Sequence, residues 1–545
     1  MSSNNRAAKT ALILMSSAYF LAFIPTSLTG SKDLNMLTAF RQELPEYGTD
    51  EGATFEQTKR LTTLGRSPIQ TIKNMLGNYY NHAYGYLFFL VSALAIFPLR
   101  VAEQFFHAEV STTAYMVILR QMSPLFMLIA INLFVYLWTG FKSLGKSVLL
   151  FLFLASVPAI FFNNMFWHPD SLVTLFVVLT IFCLSRDDLR FGNWFYAAPI
   201  FCGLATGTKV IGLFFFLSIP VYLLLGLIRE SLSFRTLLKH AAMFLLLMVL
   251  AIVASNPLIL VPGHATQYVS TLSGLAGINA WGWQVEEAKG PASWYSEALR
   301  DSFGFWWIYV LVLLVSGVSI VSNPRKRILN IMILTWIAPL SLYMLWSVGY
   351  KGAHYFIPVF LPGMSLIGNL FELNIVREGT TIRRGAVLGL FAASMLLCVT
   401  QFVYYISADL ELYTRVHDRE IRSASIGFYR QLHDAYIASL EPGRRLTIVR
   451  EYRIYYPPSA NWNDRASSHI DYAYINEIQP DLILLTRESI DYQSDLTLAN
   501  RIAPVLREQW QKDYEFFRDA KADSLKGFRK VLETDFAVAF VRAMT

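Results

Sequence analysis

Residues 210–227 read VIGLFFFLSIPVYLLLGL, eighteen positions without one charged side chain. A bilayer's hydrocarbon core, about 30 Å thick, takes about 20 apolar residues of helix to cross, so Val210–Leu227 reads as a membrane span. Comparable runs recur along the chain. Candidate spans are Ala11–Leu28, Tyr115–Trp138, Val148–Phe162, Ser171–Leu184, Trp194–Thr206, Val210–Leu227, Ala241–Ser255, Gly304–Val321, Ile328–Trp346, His354–Phe371 and Ala386–Ser407. With 545 residues and 54% hydrophobic content, the chain is too apolar for an ordinary soluble protein. The fold class is a polytopic α-helical membrane protein of about 11 transmembrane helices.

Charge then sets the orientation. One further apolar run, Tyr84–Leu99, is only 16 residues long and short for a crossing. If it lies at the interface and the N-terminus is cytoplasmic, the short inner loops carry thirteen basic residues. These are Lys142, Lys146, Arg186, Arg190, Arg229, Arg235, Lys239, Arg325, Lys326, Arg327, Arg377, Arg383 and Arg384. The outer loops after the third span carry four: Lys209, Lys289, Arg300 and Lys351. Counting Tyr84–Leu99 as a span, with the N-terminus still inside, reverses the positive-inside bias. The segment is therefore read as an interfacial or juxtamembrane helix. A rival topology keeps the bias by making Tyr84–Leu99 a span and putting the N-terminus outside, which moves Asp50 to the cytoplasm. The net charge of +7 follows from basic inner loops rather than from nucleic-acid binding. Arg6 and Lys9 precede the first run without a small-residue cleavage site, so that run is read as retained.

The expected domains are residues 1–407, with large outer loops at 30–114 and 256–303, and residues 408–545, where the composition turns soluble. Arg445–Arg450, Asp481–Thr486 and Phe536–Arg542 look like strands, and Ala424–Ser439 and Leu496–Phe517 like amphipathic helices. A small extracytoplasmic α/β domain follows. Cys183, Cys202 and Cys398 all sit in apolar segments, so neither a disulfide framework nor a cysteine metal site is indicated.

Chemistry-bearing residues gather near the outer ends of the spans. Asp50-Glu51 is an acidic pair in the first outer loop, reading either as the start of a helix or as a catalytic carboxylate for a hydroxyl acceptor. His168-Pro169-Asp170 occupies a tight loop, where Asp170 either caps the next span or serves as a second carboxylate. Lys209, after Gly203–Thr208, either snorkels to headgroups or holds an anionic phosphate. Lys351, His354 and Tyr355 open the tenth span and suit either a phosphate or an interfacial anchor, and Tyr80 and His82 could line the same cavity. Trp281, Trp283, Trp294 and Tyr295 offer aromatic surface to a sugar or to the membrane. His82, His168, His264 and His354 lack a local ligand spacing such as HExxH, so no metal is indicated. Neither GxxxxGK[ST] nor GxGxxG occurs in a strand–helix context, and nucleotide binding is not supported.

In order, these stretches resemble the GT-C superfamily of membrane glycosyltransferases that use polyprenyl-phosphate sugars. The nearest branch in pattern holds protein O-mannosyltransferases and bacterial lipid A aminoarabinose transferases. The resemblance rests on Asp50-Glu51, the aromatic Tyr79–Leu99, Arg120 leading the second span, His168-Pro169-Asp170-Ser171, Gly203–Gly212 and His354–Pro358. It covers about residues 10–370. Departures are His82-Ala83-Tyr84 where the family has His-Pro-Pro, and His354 where a basic residue often stands beside the tyrosine.

The resemblance implies an inverting transferase in the membrane, of the bacterial inner or plasma membrane type, working at its outer face. Asp50 would be the base, with Glu51 and Asp170 positioning acceptor or base. Lys209, with Lys351 or His354, would hold the leaving phosphate. It implies a polyprenyl-phosphate-linked sugar donor, a lipid, glycan or protein hydroxyl acceptor, membrane lipids around it, no nucleic acid and no cofactor, a divalent metal being left open but not indicated. The alternative is a transporter or flippase of polyprenyl-linked sugars. That reading calls for charges near the bilayer midplane in paired repeats, whereas Asp50, Asp170, Lys209 and Lys351 all fall near the outer face.

Overall fold

A computed structural model describes residues 3–28, 51–80, 82–229, 232–281, 289–290, 293, 297–349, 351–371, 381–441, 443–457, 461–467 and 469–543. Asp50, Trp283, Trp294 and Tyr295 lie outside them. The chain divides into a helical unit, 1–28 with 50–276 and 288–412, and a second unit, 29–49 with 277–287 and 413–545.

Among the described residues, eight helices are long and apolar enough to cross a membrane. Seven coincide with predicted spans and the eighth is Tyr86–Phe105. The other four predicted spans are also helical. Leu144–Ala155, Asn193–Thr208 and Trp306–Ser322 are shorter, and Asp170–Asp187 carries charges at both ends. The protein is thus a multi-pass helical membrane protein. One predicted span is broken: Val148–Phe162 stops at Ala155 and restarts as Pro158–Asn163. Pro158 lacks an N–H and pushes Val157 to extended geometry, which ends the first helix.

The Tyr86–Phe105 helix corrects the length argument made from its apolar run. It continues through Pro98 and Arg100 to 20 residues, about 30 Å at 1.5 Å per residue. Its contacts nevertheless place it across the bundle rather than through it. At its start, Gly85 N donates to Thr208 O (3.0 Å) and Tyr86 N to Asn256 Oδ1 (2.6 Å). At its finish, Glu103 accepts from the Tyr115 hydroxyl (2.9 Å). Thr208 and Asn256 close two helices, and Tyr115 lies in the first turn of the Thr112–Thr139 helix. Lys209–Asp170 and Arg120–Glu51–Trp167 contacts join all three points at one end of the bundle. A helix that begins and ends at the same end lies along it.

Among the described residues, the second unit is built on a five-stranded sheet ordered β2-β1-β3-β5-β4. Its strands are β1 (Leu446–Glu451), β2 (Trp462–Ser467), β3 (Leu482–Thr486), β4 (Phe528–Glu533) and β5 (Ala537–Arg542). β1 runs parallel to β2 and β3, while β5 is antiparallel to β3 and to β4. Alternate residues of β3 enter two cores: Ile483 and Leu485 pack with Phe516 and Phe540, Leu482 and Leu484 with Phe428 and Leu432. Burial on both faces explains its unbroken apolar sequence. The three predicted strands are β1, β3 and β5. The unpredicted pair, β2 and β4, are the edges, and β2 (WNDRAS) is almost wholly exposed.

Candidate active site

Glu51 is the first residue of the Glu51–Leu61 helix and is buried with Arg120, each side chain 1% exposed. Its Oε1 accepts from Arg120 Nε (3.0 Å) and its Oε2 from Nη2 (2.7 Å), a bidentate pair. Oε1 also accepts from the Trp167 backbone N–H (2.9 Å). The Trp167 indole donates to Ser92 Oγ (3.0 Å) on the Tyr86–Phe105 helix. One carboxylate therefore ties the Glu51–Leu61 helix, the Arg120 helix and the His168 loop together. Removing one partner of such a buried pair leaves an uncompensated charge and costs about 3–5 kcal/mol.

Asp170 lies next along that loop, and its side chain is 1% exposed. It opens the Asp170–Asp187 helix, but the N-cap residue is Pro169, so Asp170 does not act as a side-chain cap. Oδ1 accepts from Lys209 Nζ (2.8 Å), and Oδ2 meets His168 Nδ1. Lys209 takes extended geometry where the Asn193–Thr208 helix stops. Its side chain is only 14% exposed, with Nζ 4.5 Å from the centre of the Tyr355 ring. Pairing with a buried carboxylate, and not reaching for headgroups, is what the fold selects for this lysine. The His354 ring stands 5.1 Å from that of His168. His168, Asp170 and His354 each offer one ligand atom, all within 4.8 Å of one another. Local spacing could not reveal this set, because His354 comes from a helix remote in the chain from the His168–Asp170 loop.

Tyr84 completes the cluster. Its hydroxyl shares a hydrogen bond with His168 Nε2 (2.9 Å), and its carbonyl accepts from Tyr79 OH (2.7 Å). A backbone clasp holds this segment. Asn256 Nδ2 donates to Gly207 O (2.8 Å) while Asn256 Oδ1 accepts from Tyr86 N. A Cβ on Gly85 would stand 1.7 Å from Gly207 O, so the approach requires glycine. Tyr84 was noted in the sequence only as the start of an apolar run and a departure from His-Pro-Pro, and Asn256 carried no signal beyond ending an apolar run.

The remaining predicted residues are placed differently. His82 is buried, with Nδ1 2.8 Å from Tyr80 O and Nε2 3.2 Å from His264 Nδ1. Burial and the neighbouring His264 hold its imidazole below the usual range, against the opposing bond to Tyr80 O. Tyr80 is exposed, its ring 5.1 Å from the Arg60 guanidinium. The Lys351 ammonium donates to Met344 O (2.9 Å) and Val348 O, at the end of the Arg327–Trp346 helix.

No protein-family model and no curated protein matches the sequence. Solved structures do match. ArnT from Cupriavidus metallidurans bound to undecaprenyl phosphate aligns at TM-score 0.51 and 12% identity, over 98% of this chain and 99% of that one. Apo ArnT from the same organism gives 0.52 and 13% over 98% of each chain. An Archaeoglobus fulgidus oligosaccharyltransferase aligns at 0.42 and 11% over 90% of this chain and 72% of that one, too distant to argue from. Over nearly its whole length, then, the chain has the fold of ArnT, which is the GT-C fold that the ordered motifs predicted.

Proposed function

We propose that the protein is an inverting glycosyltransferase, moving a sugar from a polyprenyl-phosphate carrier to a hydroxyl acceptor at the outer membrane face. The observation that carries this reading is the buried Lys209–Asp170–His168–Tyr84 cluster at the end of the bundle where Glu51 is anchored. It supplies an oriented cation beside an aromatic ring at the membrane edge, in a fold shared with a protein crystallised with undecaprenyl phosphate.

Asp50, covalently joined to Glu51, takes the acceptor proton. The acceptor oxygen attacks the anomeric carbon, and the bond from that carbon to the phosphate oxygen breaks. Its electron pair leaves on the lipid phosphate. Lys209 uses one N–H on Asp170 and has others to offer the developing charge, the kind of stabilisation often largest in catalysis. Asp170 positions Lys209, and Glu51 positions the loop through Arg120 and Trp167. His354 and Tyr355 border the phosphate position. Lys351, engaged with the helix-end carbonyls, is assigned to the scaffold.

The test is transfer from a radiolabelled polyprenyl-phosphate sugar in membranes, comparing wild type with Asp50→Asn at matched folded protein. Loss of transfer only in the variant supports the enzyme and its base. Equal transfer by both removes Asp50 from the chemistry. No transfer by either, across a donor panel, points to a carrier of such lipids instead.

A further inference from the structure

We propose that the second unit carries a binding site for a neutral sugar residue at the carboxyl ends of β1 and β3, gathered around Arg453. Topology locates it. β1, β2 and β3 run parallel, yet the chain leaves β1 for β2 on one side and then enters β3 on the other side of β1. The departures from β1 and β3 also take opposite faces of the sheet. After β1, Ile454 and Tyr456 join the core that contains Leu482 and Leu484. After β3, Ile490 of the Arg487–Gln493 helix joins the core that contains Ile483 and Leu485. Segments that part in this way leave a crevice at the carboxyl edge, the place where open parallel sheets hold their ligands.

Polar side chains converge there. Glu451 ends β1 and Thr486 ends β3, and Glu451 Oε2 accepts from the Thr486 N–H (3.1 Å) and from its hydroxyl. Arg453 lies across both strand ends. Its Nε donates to Glu451 Oε1 (2.5 Å), Nη1 to Glu488 Oε2 (2.7 Å) and Nη2 to Ser489 Oγ (2.8 Å). The Tyr452 ring stands 5.9 Å from the same guanidinium. The Glu488 side chain is 77% exposed, so the outer rim of this network meets solvent.

Hydrogen-bonding capacity is left over at that rim. A carboxylate has about four lone-pair sites, and among the described residues Glu488 accepts one hydrogen bond, from Arg453. Arg453 Nη1 carries a second N–H. Charge then selects the ligand class. One guanidinium stands against two carboxylates, so an entering anion would have to expel Glu488, while an entering ammonium meets Arg453. A neutral hydroxyl gives its proton to Glu488 and accepts from Nη1, leaving the ion pair in place. Neighbouring hydroxyls on a ring whose carbons can lie against Tyr452 describe a sugar residue. The site rests on the sheet of the second unit and not on the transfer reading, so either can fail alone.

The experiment records saturation-transfer difference NMR on the purified full-length chain in detergent, with no lipid-linked donor present. The probes are the methyl glycosides of glucose, mannose and galactose, with methyl phosphate and methylammonium as charged comparisons. A saturable signal is expected from at least one glycoside. Glu488→Ala, at an exposed position whose change spares the fold, should weaken that binding about tenfold, as for loss of a hydrogen bond to a charged group. Arg453→Met should abolish it, provided its thermal unfolding matches wild type; otherwise Glu488→Ala alone decides. No saturable glycoside signal from the wild type overturns the proposal. So does a glycoside affinity that well-folded Glu488→Ala leaves unchanged. A signal from methyl phosphate or methylammonium that depends on Glu488, in place of one from the glycosides, overturns the sugar class.

Discussion

Glu51 and Asp170 are two buried carboxylates whose partners assign them different work. Glu51 accepts from a guanidinium and a backbone N–H, contacts that hold loops in place. Glu51→Gln should lower stability by about 3–5 kcal/mol, because Arg120 is left charged in a buried site. Thermal unfolding in detergent would show this, and Arg120→Lys should rescue poorly since an ammonium cannot make the bidentate pair. Lys209, by contrast, retains donor capacity. In a transfer assay, Lys209→Met should reduce turnover by about 10²–10³-fold, the range for removing one donor from a developing anion. Glu51 and Lys209 were both legible from sequence as residues worth testing. Which of them is scaffold was not, because that depends on partners remote in the chain.

At the scale of elements, the clasp between the starts and ends of three helices sets where Tyr84 and Lys209 stand. Gly85→Ala drives a methyl into Gly207 O and should unseat the Tyr86–Phe105 helix. Asn256→Ala removes partners from Tyr86 N and Gly207 O, costing about 1–3 kcal/mol for each buried group left unpaired. Limited proteolysis between residues 61 and 86 would report both changes. In the second unit, His469 pairs with buried Asp513, and that hydrogen bond raises its imidazole above the usual value, against a smaller opposing effect of burial. A raised folded value means the stabilisation is fully present below the unfolded value, about pH 6.5, and is lost as pH rises through the folded one. The stability gap between wild type and His469→Gln should therefore be largest in mild acid and close toward alkaline pH. Thermal scans at several pH values would measure it. Since the side chain is half exposed, the gap should be small.

For the whole molecule, the positive-inside bias makes an orientation testable. The three native cysteines are buried, so cysteines introduced at exposed sites can be read separately. A membrane-impermeant maleimide applied to intact cells should label Asp301→Cys, and should label Lys142→Cys only after permeabilisation. The reverse pattern would invert the bundle and move the Asp170 cluster to the cytoplasm. The sequence by itself determined the multi-span helical character, because transfer of a run such as Val210–Leu227 into lipid depends on its own composition. It likewise determined β1, β3 and β5, whose two-sided burial leaves an apolar record. The edge strands β2 and β4, only partly buried, leave a weaker one. Only the tertiary structure decided that the Tyr86–Phe105 helix lies across the bundle, that Lys351 serves a helix end, and that Lys209, Tyr84 and His354 meet around Asp170. Those outcomes rest on hydrogen bonds and ion pairs, which act over a few ångströms in space between residues distant in sequence.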